Sequence, residues 1–351
     1  MAQNLPFFQL NTINAPSDTK APPYQTDTML LASGNGTVGG STLDHDFRTE
    51  YAKNATAAIQ REFRSNTTVE VNYLWSTIAG ADSSTVLNVP QPGAGAIGPR
   101  RPVPQLANIS EIRWDGYSIY NGVTVKIARR LSHGLSYSAS YTLSKATDDA
   151  SDPGATVAEA NLPQNVYDMS SERASSSFDH RHRFVASVIY ALPNPGGDGV
   201  LSALGRDWQV TGIATLQSGS PFTVNLGTDV ANVGSGPAQR PNVSCDPNSG
   251  GAGTSQQWFN TNCFSLPAAF TFGNSGRNTV LAPGYADVDL GVQRIVRLSQ
   301  GAQLQLRWEV FNLFNRVNFD TPNRTALTAN FGRIFSAQPA RQMQGGIRLI
   351  F

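Results

Sequence analysis

Apolar and polar residues alternate at a period of two along much of the chain, the mark of strands that cover only one face. In Ala302-Gln-Leu-Gln-Leu-Arg-Trp-Glu-Val310 the even positions are Ala, Leu, Leu, Trp and Val, and the odd ones Gln, Gln, Arg and Glu. From Leu135 to Ser144 the odd positions read Leu, Tyr, Ala, Tyr, Leu, and every even one is Ser or Thr. Ala286, Val288, Leu290 and Val292 oppose Asp287, Asp289, Gly291 and Gln293. Val69, Val71, Tyr73 and Trp75 oppose Thr68, Glu70 and Asn72, and Met343, Ile347, Leu349 and Phe351 oppose Gln344 and Arg348. Less regular strands fit at 50–63, 116–130, 181–192 and 207–226. These are nine strands, mostly 9–15 residues long. Ordinary strands average about 5–6 residues, whereas a tilted membrane-crossing strand needs about 9–11.

The connections test this independently. Those at 64–66, 131–134 and 299–301 are short, and that at 193–206 is of medium length. Those at 79–115, 147–180, 227–284 and 317–340 are long, and the two kinds alternate strictly. Outer-membrane barrels do this, with tight periplasmic turns and long extracellular loops. A soluble sandwich has no reason to sort its connections by end, and rarely holds several structureless loops beyond about 15 residues. The expected fold is all-β: an antiparallel transmembrane β-barrel, partial, with about nine or ten long strands. Residues 45–351 supply the barrel, and 1–44 an irregular, extracellular-loop-like segment. A further strand at 5–14 would repair the odd strand count. By strand phase Glu70, Asn72, Asp287, Asp289, Gln303, Gln305, Arg307 and Glu309 face the lumen, where they satisfy neighbouring charges or pack against whatever fills it. Tyr73, Trp75, Tyr117, Tyr141, Tyr190, Trp208, Tyr285 and Phe351 suit the two interfacial aromatic girdles.

Composition narrows the class further. Charged residues are 15% and hydrophobic ones 40%, both below the soluble average of roughly 25% and ~45–50%. The difference is made up by 32 Gly, 21 Pro and uncharged polar residues, which suits many strands with long polar loops and excludes a helical bundle. A net charge of +1 leaves no basic footprint for nucleic acid. No stretch reaches the ~18 apolar residues of a membrane helix. Met1-Ala-Gln-Asn-Leu-Pro6 lacks the basic and apolar regions of a signal peptide.

Chemical constellations are few. Gly93-Ala-Gly-Ala-Ile-Gly98 matches the dinucleotide pattern by letter, but Gln91-Pro92 precede it and Pro99-Arg-Arg-Pro102 follow. No helix is expected to open there, so it reads as a loop tip and no cofactor is expected. Asp179, His180 and His182 could ligate a metal across one strand face, yet beside Arg181 and Arg183 they read better as a polar rim where a loop enters a strand. Asp148-Asp-Ala-Ser-Asp152 has the composition of a calcium loop without EF-hand spacing. No Gly-x-Ser-x-Gly elbow is present and no Cys pairs with His in a known motif, so no enzyme is expected. Cys245 and Cys263 flank a 17-residue interval in the longest loop. Without nearby histidines they make a poor zinc site, and a disulfide is expected, worth about 3 kcal/mol in the chain-entropy description. A disulfide needs an oxidising compartment, which agrees with an outward loop.

Several stretches together resemble a known family. They are Phe178-Asp-His-Arg-His-Arg-Phe184 with Leu192-Pro193, Trp208-Gln-Val-Thr-Gly-Ile213 with Gln217-Ser-Gly-Ser-Pro-Phe222, and Arg240-Pro-Asn242. Phe272-Gly-Asn-Ser-Gly-Arg-Asn278 with Pro283-Gly-Tyr285, Glu309-Val-Phe-Asn-Leu-Phe-Asn315, and the ending Gly345-Gly-Ile-Arg-Leu-Ile-Phe351 complete the set. The set resembles the C-terminal barrel of TonB-dependent outer-membrane receptors, in the Oar-like subgroup with a carboxypeptidase-regulatory-like domain. The resemblance implies a 22-stranded barrel, an N-terminal plug, a TonB box and import of a scarce bulky ligand. It implies as partners outer-membrane lipid, the barrel insertion machinery, which would read Phe351 as a terminal aromatic signal, and the TonB complex through an N-terminal part not seen in this sequence. With no plug or TonB box visible, and strands for about half that barrel, the chain reads as a C-terminal fragment. The alternatives are a small passive outer-membrane barrel or adhesin, and a soluble carbohydrate-binding β-sandwich. Membrane fractionation separates the last from the other two.

Overall fold

The computed structural model describes residues 38–46, 48–63, 66–151, 162–197, 199–234, 238–298 and 301–351. Among these residues nine long strands form the wall: β1 (Tyr51–Phe63), β2 (Thr67–Leu87), β3 (Leu106–Ser132), β4 (Leu135–Asp148), β5 (His182–Ala191), β6 (Trp208–Gln217), β7 (Tyr285–Arg297), β8 (Gln303–Phe311) and β9 (Gln342–Ile350). Each pairs antiparallel with the next in chain order, so the sheet is a meander. Short turns gather at one end; at His133 and Gly134 both residues have positive φ, as a two-residue type I′ hairpin needs. The connections 88–105, 149–181, 218–284 and 312–341 gather at the other end.

The strands are staggered. A row of paired residues that begins at Phe63, the last residue of β1, passes through Thr67, Arg129, Tyr137, Val188, Gly212, Leu290 and Val310 and ends at Met343, the second residue of β9. That is a shift of about one residue per strand, the shear that tilts the strands of a barrel wall. Among the described residues the sheet does not close. Both β1 and β9 are edges, exposed along their whole length.

Period two carries through the register. Ile127, Ala139, Ala186, Ala214 and Val288 lie in one row and share a face; the interleaved row is Lys126, Ser140, Val185, Thr215 and Asp287. On the apolar face Trp308, Met343, Ile347 and Leu349 are half or more exposed. A single-layer wall has no second layer to cover that face.

Four expectations change. Residues 79–87 and 106–115, expected as loop, extend β2 and β3 beyond the other strands, with register shifts between Ala79 and Ser83. Alternation fails there because the extension is covered by the loops: Ser83, Thr85 and Val86 are all buried. The strand expected at 207–226 stops at Gln217. There Gly219 passes so close to the Ala282 carbonyl that a Cβ would lie 1.7 Å from its oxygen, and residues 221–226 turn away into the loop assembly. A helical turn, α1 (Ile97–Arg100), does open after Gly93-Ala-Gly-Ala, because Pro99 sits in a first turn where its missing N–H costs nothing. Finally, within the segment expected to be irregular, Val38–Leu43 is a strand pairing parallel with β3 from Leu106 to Ile112. The strand proposed at 5–14 lies outside the described residues.

Candidate functional site

Among the described residues most of the buried core lies in the long connections and the extension of β2 rather than in the rest of the sheet. One cluster joins Phe222, Val224, Leu226, Phe259, Phe264 and Val280 of the 218–284 connection to Ala326 and Phe331 of the 312–341 connection. Phe259 meets Phe222, Phe264 and Phe331 edge-on at 5.8, 6.0 and 5.2 Å, a geometry that adds to area burial. A second cluster joins Val86 and Val89 to Leu162, Ala231 and Val233. Together the clusters tie all four long connections into one cap.

Two buried ion pairs brace it. Arg240 pairs with Glu172, both 2% exposed, and Arg277 with Asp148, 1% and 5% exposed. Arg277 also donates to the Glu172 carbonyl and the Ser151 hydroxyl, 2.8 Å each. Burial pushes the Arg240 guanidinium pKa down, and Glu172 opposes that. The Arg240 backbone N–H donates to Gln164 Oε1 at 3.1 Å, while Gln164 Nε2 donates to the Gly273 carbonyl at 3.0 Å. Arg240-Pro-Asn242 and Phe272-Gly-Asn-Ser-Gly-Arg-Asn278 therefore meet in one polar network. Its charges were unreadable in sequence, because an arginine in a Gly-rich loop usually stays in water.

Cys245 and Cys263 are bonded, with Cα atoms 5.1 Å apart. Beside them, the Asp246 carboxylate accepts from the Asn248 backbone N–H and the Ser249 hydroxyl, each at 3.0 Å, which holds its pKa below the ordinary value. Asn248 pins this loop to the strand pair at Val280: its Nδ2 donates to the Thr279 carbonyl and its Oδ1 accepts from the Leu281 N–H. Between the end of β4 and the cap lies an open pocket of about 600 Å³, lined by Lys145, Arg173, Asp179, Arg181 and Arg277 among others. Asp179 neutralises Lys145 at 3.0 Å, and Asp148 neutralises Arg277. The exposed Arg173 and Arg181 leave the mouth cationic.

The motif Glu309-Val-Phe-Asn-Leu-Phe-Asn315 joins wall to cap through its asparagines. Asn312 and Asn315 adopt positive φ, which Asn tolerates well. Asn312 bonds Arg316 through both side-chain atoms, at 2.9 Å each, and Asn315 Oδ1 accepts from the Arg341 N–H at 3.0 Å.

The eight polar residues singled out by phase share one face of the sheet. Glu70 lies opposite Lys126 and Asn72 opposite Thr124. Asp287 and Asp289 follow in the same parity on β7, and Glu309, Arg307, Gln305 and Gln303 oppose Gly291, Gln293, Ile295 and Arg297. Most are engaged with neighbours. Gln305 donates to Gln293 at 3.0 Å, and Glu309 takes Arg307 and Gln344. Asp289 accepts from the Asn312 N–H at 3.0 Å, which makes it a brace for the Asn turn. Of the girdle aromatics, Tyr285 is misplaced: its parity sets it with Asp287 and Asp289 on the polar face. Tyr73 and Tyr141 lie on the apolar face, where their hydroxyls reach Asn121 and His182 at 2.9 and 2.8 Å.

Asp179, His180 and His182 do not converge. Asp179 takes Lys145 and the Ala146 N–H, His180 bonds the Ser218 carbonyl, and His182 bonds Tyr141. β5 begins only at His182, so the two histidines share no strand face. Asp148 and Asp149 are likewise committed, to Arg277 and to the Tyr117 N–H; Asp152 lies outside the described residues.

Residues 1–344 match the family of outer membrane β-barrel domains. The chain belongs to that family. Its apolar sheet face is accordingly the lipid side, its short turns are periplasmic and its cap is extracellular. The family is one of membrane barrels, not of enzymes. A search of curated protein sequences finds no significant match. Among solved structures the chain is similar to the FrpB iron transporter of Neisseria meningitidis, with 14% identity, a TM-score of 0.42, and coverage of 89% of this chain and 33% of that one. It is similar to the outer membrane transporter YddB of Escherichia coli, with 9%, 0.47, 87% and 33%. It is similar to FpvA of P. aeruginosa bound to heterologous pyoverdines, with 12%, 0.45, 85% and 27%. The chain spans about a third of the length of these structures.

An extracellular disulfide in this outer-membrane barrel has a direct consequence. A membrane-impermeant maleimide should label Cys245 or Cys263 on intact cells only after reduction; labelling without reductant would refute the bond.

Proposed function

We propose that this chain is wall and outer loops of a TonB-dependent outer-membrane receptor that imports a bulky, scarce ligand, and that its barrel is completed by further strands. The edges carry this reading. With nine antiparallel strands among the described residues, β1 and β9 run in the same direction, so they could meet only in a parallel seam, whereas bacterial single-chain barrels are antiparallel with even counts. The motifs that resemble the Oar-like subgroup support it, because they sit at the points that build the cap and join it to the wall. On this reading Glu70, Asn72, Asp287, Asp289, Gln303, Gln305, Arg307 and Glu309 line the lumen, mostly as a mutually satisfied polar surface. The cap captures ligand, and the cationic mouth at Arg173 and Arg181 favours an acidic group on it. Plug and TonB box, with their TonB partner, belong to the rest of the receptor.

An antiserum against the 245–263 loop tests this. In the native outer membrane it should detect a polypeptide far longer than 351 residues whose peptides include a plug and a TonB box. A heat-modifiable species of 351 residues would favour a small passive pore or adhesin, and recovery in the soluble fraction a carbohydrate-binding sandwich.

Phe351 follows β9 and is 94% exposed. It continues the lipid-facing run of Met343, Ile347 and Leu349, which fits an aromatic signal for the insertion machinery. Deleting it should lower outer-membrane recovery of the receptor several-fold while the transcript is unchanged; unaltered recovery would count against that role.

A further inference from the structure

Three of the four periplasmic connections are short. The fourth, 192–207, is long, and it is folded. The Leu192 N–H donates to the Trp208 carbonyl and the Asp207 N–H to Asn194 Oδ1, each at 2.8 Å. Its centre is a short helix, α2 (Val200–Gly205). The Ser202 side chain is buried in the turn and donates to the carbonyls of Pro195 and Gly197 at 2.9 and 2.7 Å.

Two side chains of the wall hold the last carbonyls of α2. Trp208 Nε1 donates to the Leu204 carbonyl at 2.8 Å, and Arg294 donates to the carbonyls of Ala203 and Arg206. The Arg294 guanidinium stacks over the Trp208 ring, 5.6 Å from its centre. Trp208 and Arg294 oppose one another in the register, in the same parity as Val210, Val292 and Leu290. They therefore belong to the lipid side, and the turn is clasped against the end of that side. Meanwhile Val200, Leu201 and Leu204 are 77%, 86% and 55% exposed. Positions i, i+1 and i+4 form one stripe on a helix, opposite the buried Ser202.

A braced helix that presents three large aliphatic side chains to water is unfavourable. One that presents them to the acyl boundary is favourable, and Trp and Arg are the residues that settle at the adjoining headgroup level. We propose that α2 is an interfacial anchor, with Val200, Leu201 and Leu204 inserted among phospholipids of the periplasmic leaflet. The patch is continuous with the lipid side of the wall through Trp208 and Arg294, which selects lipid over a protein partner. The inference rests on the outer-membrane location and stands whether or not the barrel imports a ligand.

The test places a nitroxide label at Leu201→Cys or Leu204→Cys, with Gly196→Cys, an open position in the same turn, as reference. The full-length receptor is reconstituted in vesicles of phosphatidylethanolamine and phosphatidylglycerol. Cys245 and Cys263 are bonded to each other and do not compete with the new thiol for the label. All three positions are exposed, so the label displaces no packed side chain. Collisions with oxygen should exceed those with a water-soluble nickel chelate at 201 and 204, and the order should reverse at 196. Nickel-dominated collisions at 201 and 204 would place α2 in the periplasm and overturn the proposal. Low accessibility to both reagents would show protein covering the patch, and would overturn it equally.

Discussion

Replacing Arg277 by Met should unfold the extracellular cap at ordinary temperature while leaving the strands of the wall paired. The guanidinium is 1% exposed and pairs with Asp148, itself buried. Removing it leaves the Asp148 carboxylate buried without its counter-charge, still bonded by the Ser151 hydroxyl, and takes the Arg277 donor from the Glu172 carbonyl. Breaking a buried pair from one side costs about 3–5 kcal/mol, a large fraction of the stability of a loop assembly this size. Limited proteolysis of intact cells should show it as new cleavage within 218–284, with β-sheet circular dichroism nearly unchanged. Adding Asp148→Leu should restore part of the resistance by removing the stranded charge. A cap as resistant as wild type in Arg277→Met would show that the pair contributes no net stability.

Expressed by itself, the 351-residue chain should give no heat-modifiable, protease-resistant barrel in detergent. Every residue of β1 and β9 is exposed, and each edge presents a row of backbone N–H and C=O groups. In lipid such groups find no water, and each one left unsatisfied costs several kcal/mol. The two edges run the same way, so pairing them would force a parallel seam into an otherwise antiparallel wall. The measurement is gel mobility with and without boiling, together with the pattern of protected fragments. A stable monomeric barrel from this chain would overturn the view that further strands complete the wall, and would favour a small pore.

What the sequence determined by itself was whatever repeats or is local. Alternation at Leu135–Ser144 or Ala302–Val310 needs no tertiary information, because a pleated strand with one face in lipid imposes it residue by residue. The sorting of short and long connections by end followed from the same count, and so did the shared face of Glu70, Asp287 and Arg307. Prediction failed where both faces of a strand are covered, as in the extension of β2 beyond Ala79, since a doubly covered strand has no period to read. It failed also where one contact ends a strand, as at Gly219. Only the tertiary structure decided the cap. Glu172 and Arg240 are 68 residues apart and Asp148 and Arg277 129 apart, and nothing local in a Gly- and Asn-rich loop tells a buried arginine from a solvated one. The cap's cores are assembled from residues of four connections, and Phe259 finds Phe331 only because the wall brings their loops to the same rim. A barrel strand is specified by its own two faces, whereas a loop core is specified by partners that come together only after the wall has formed.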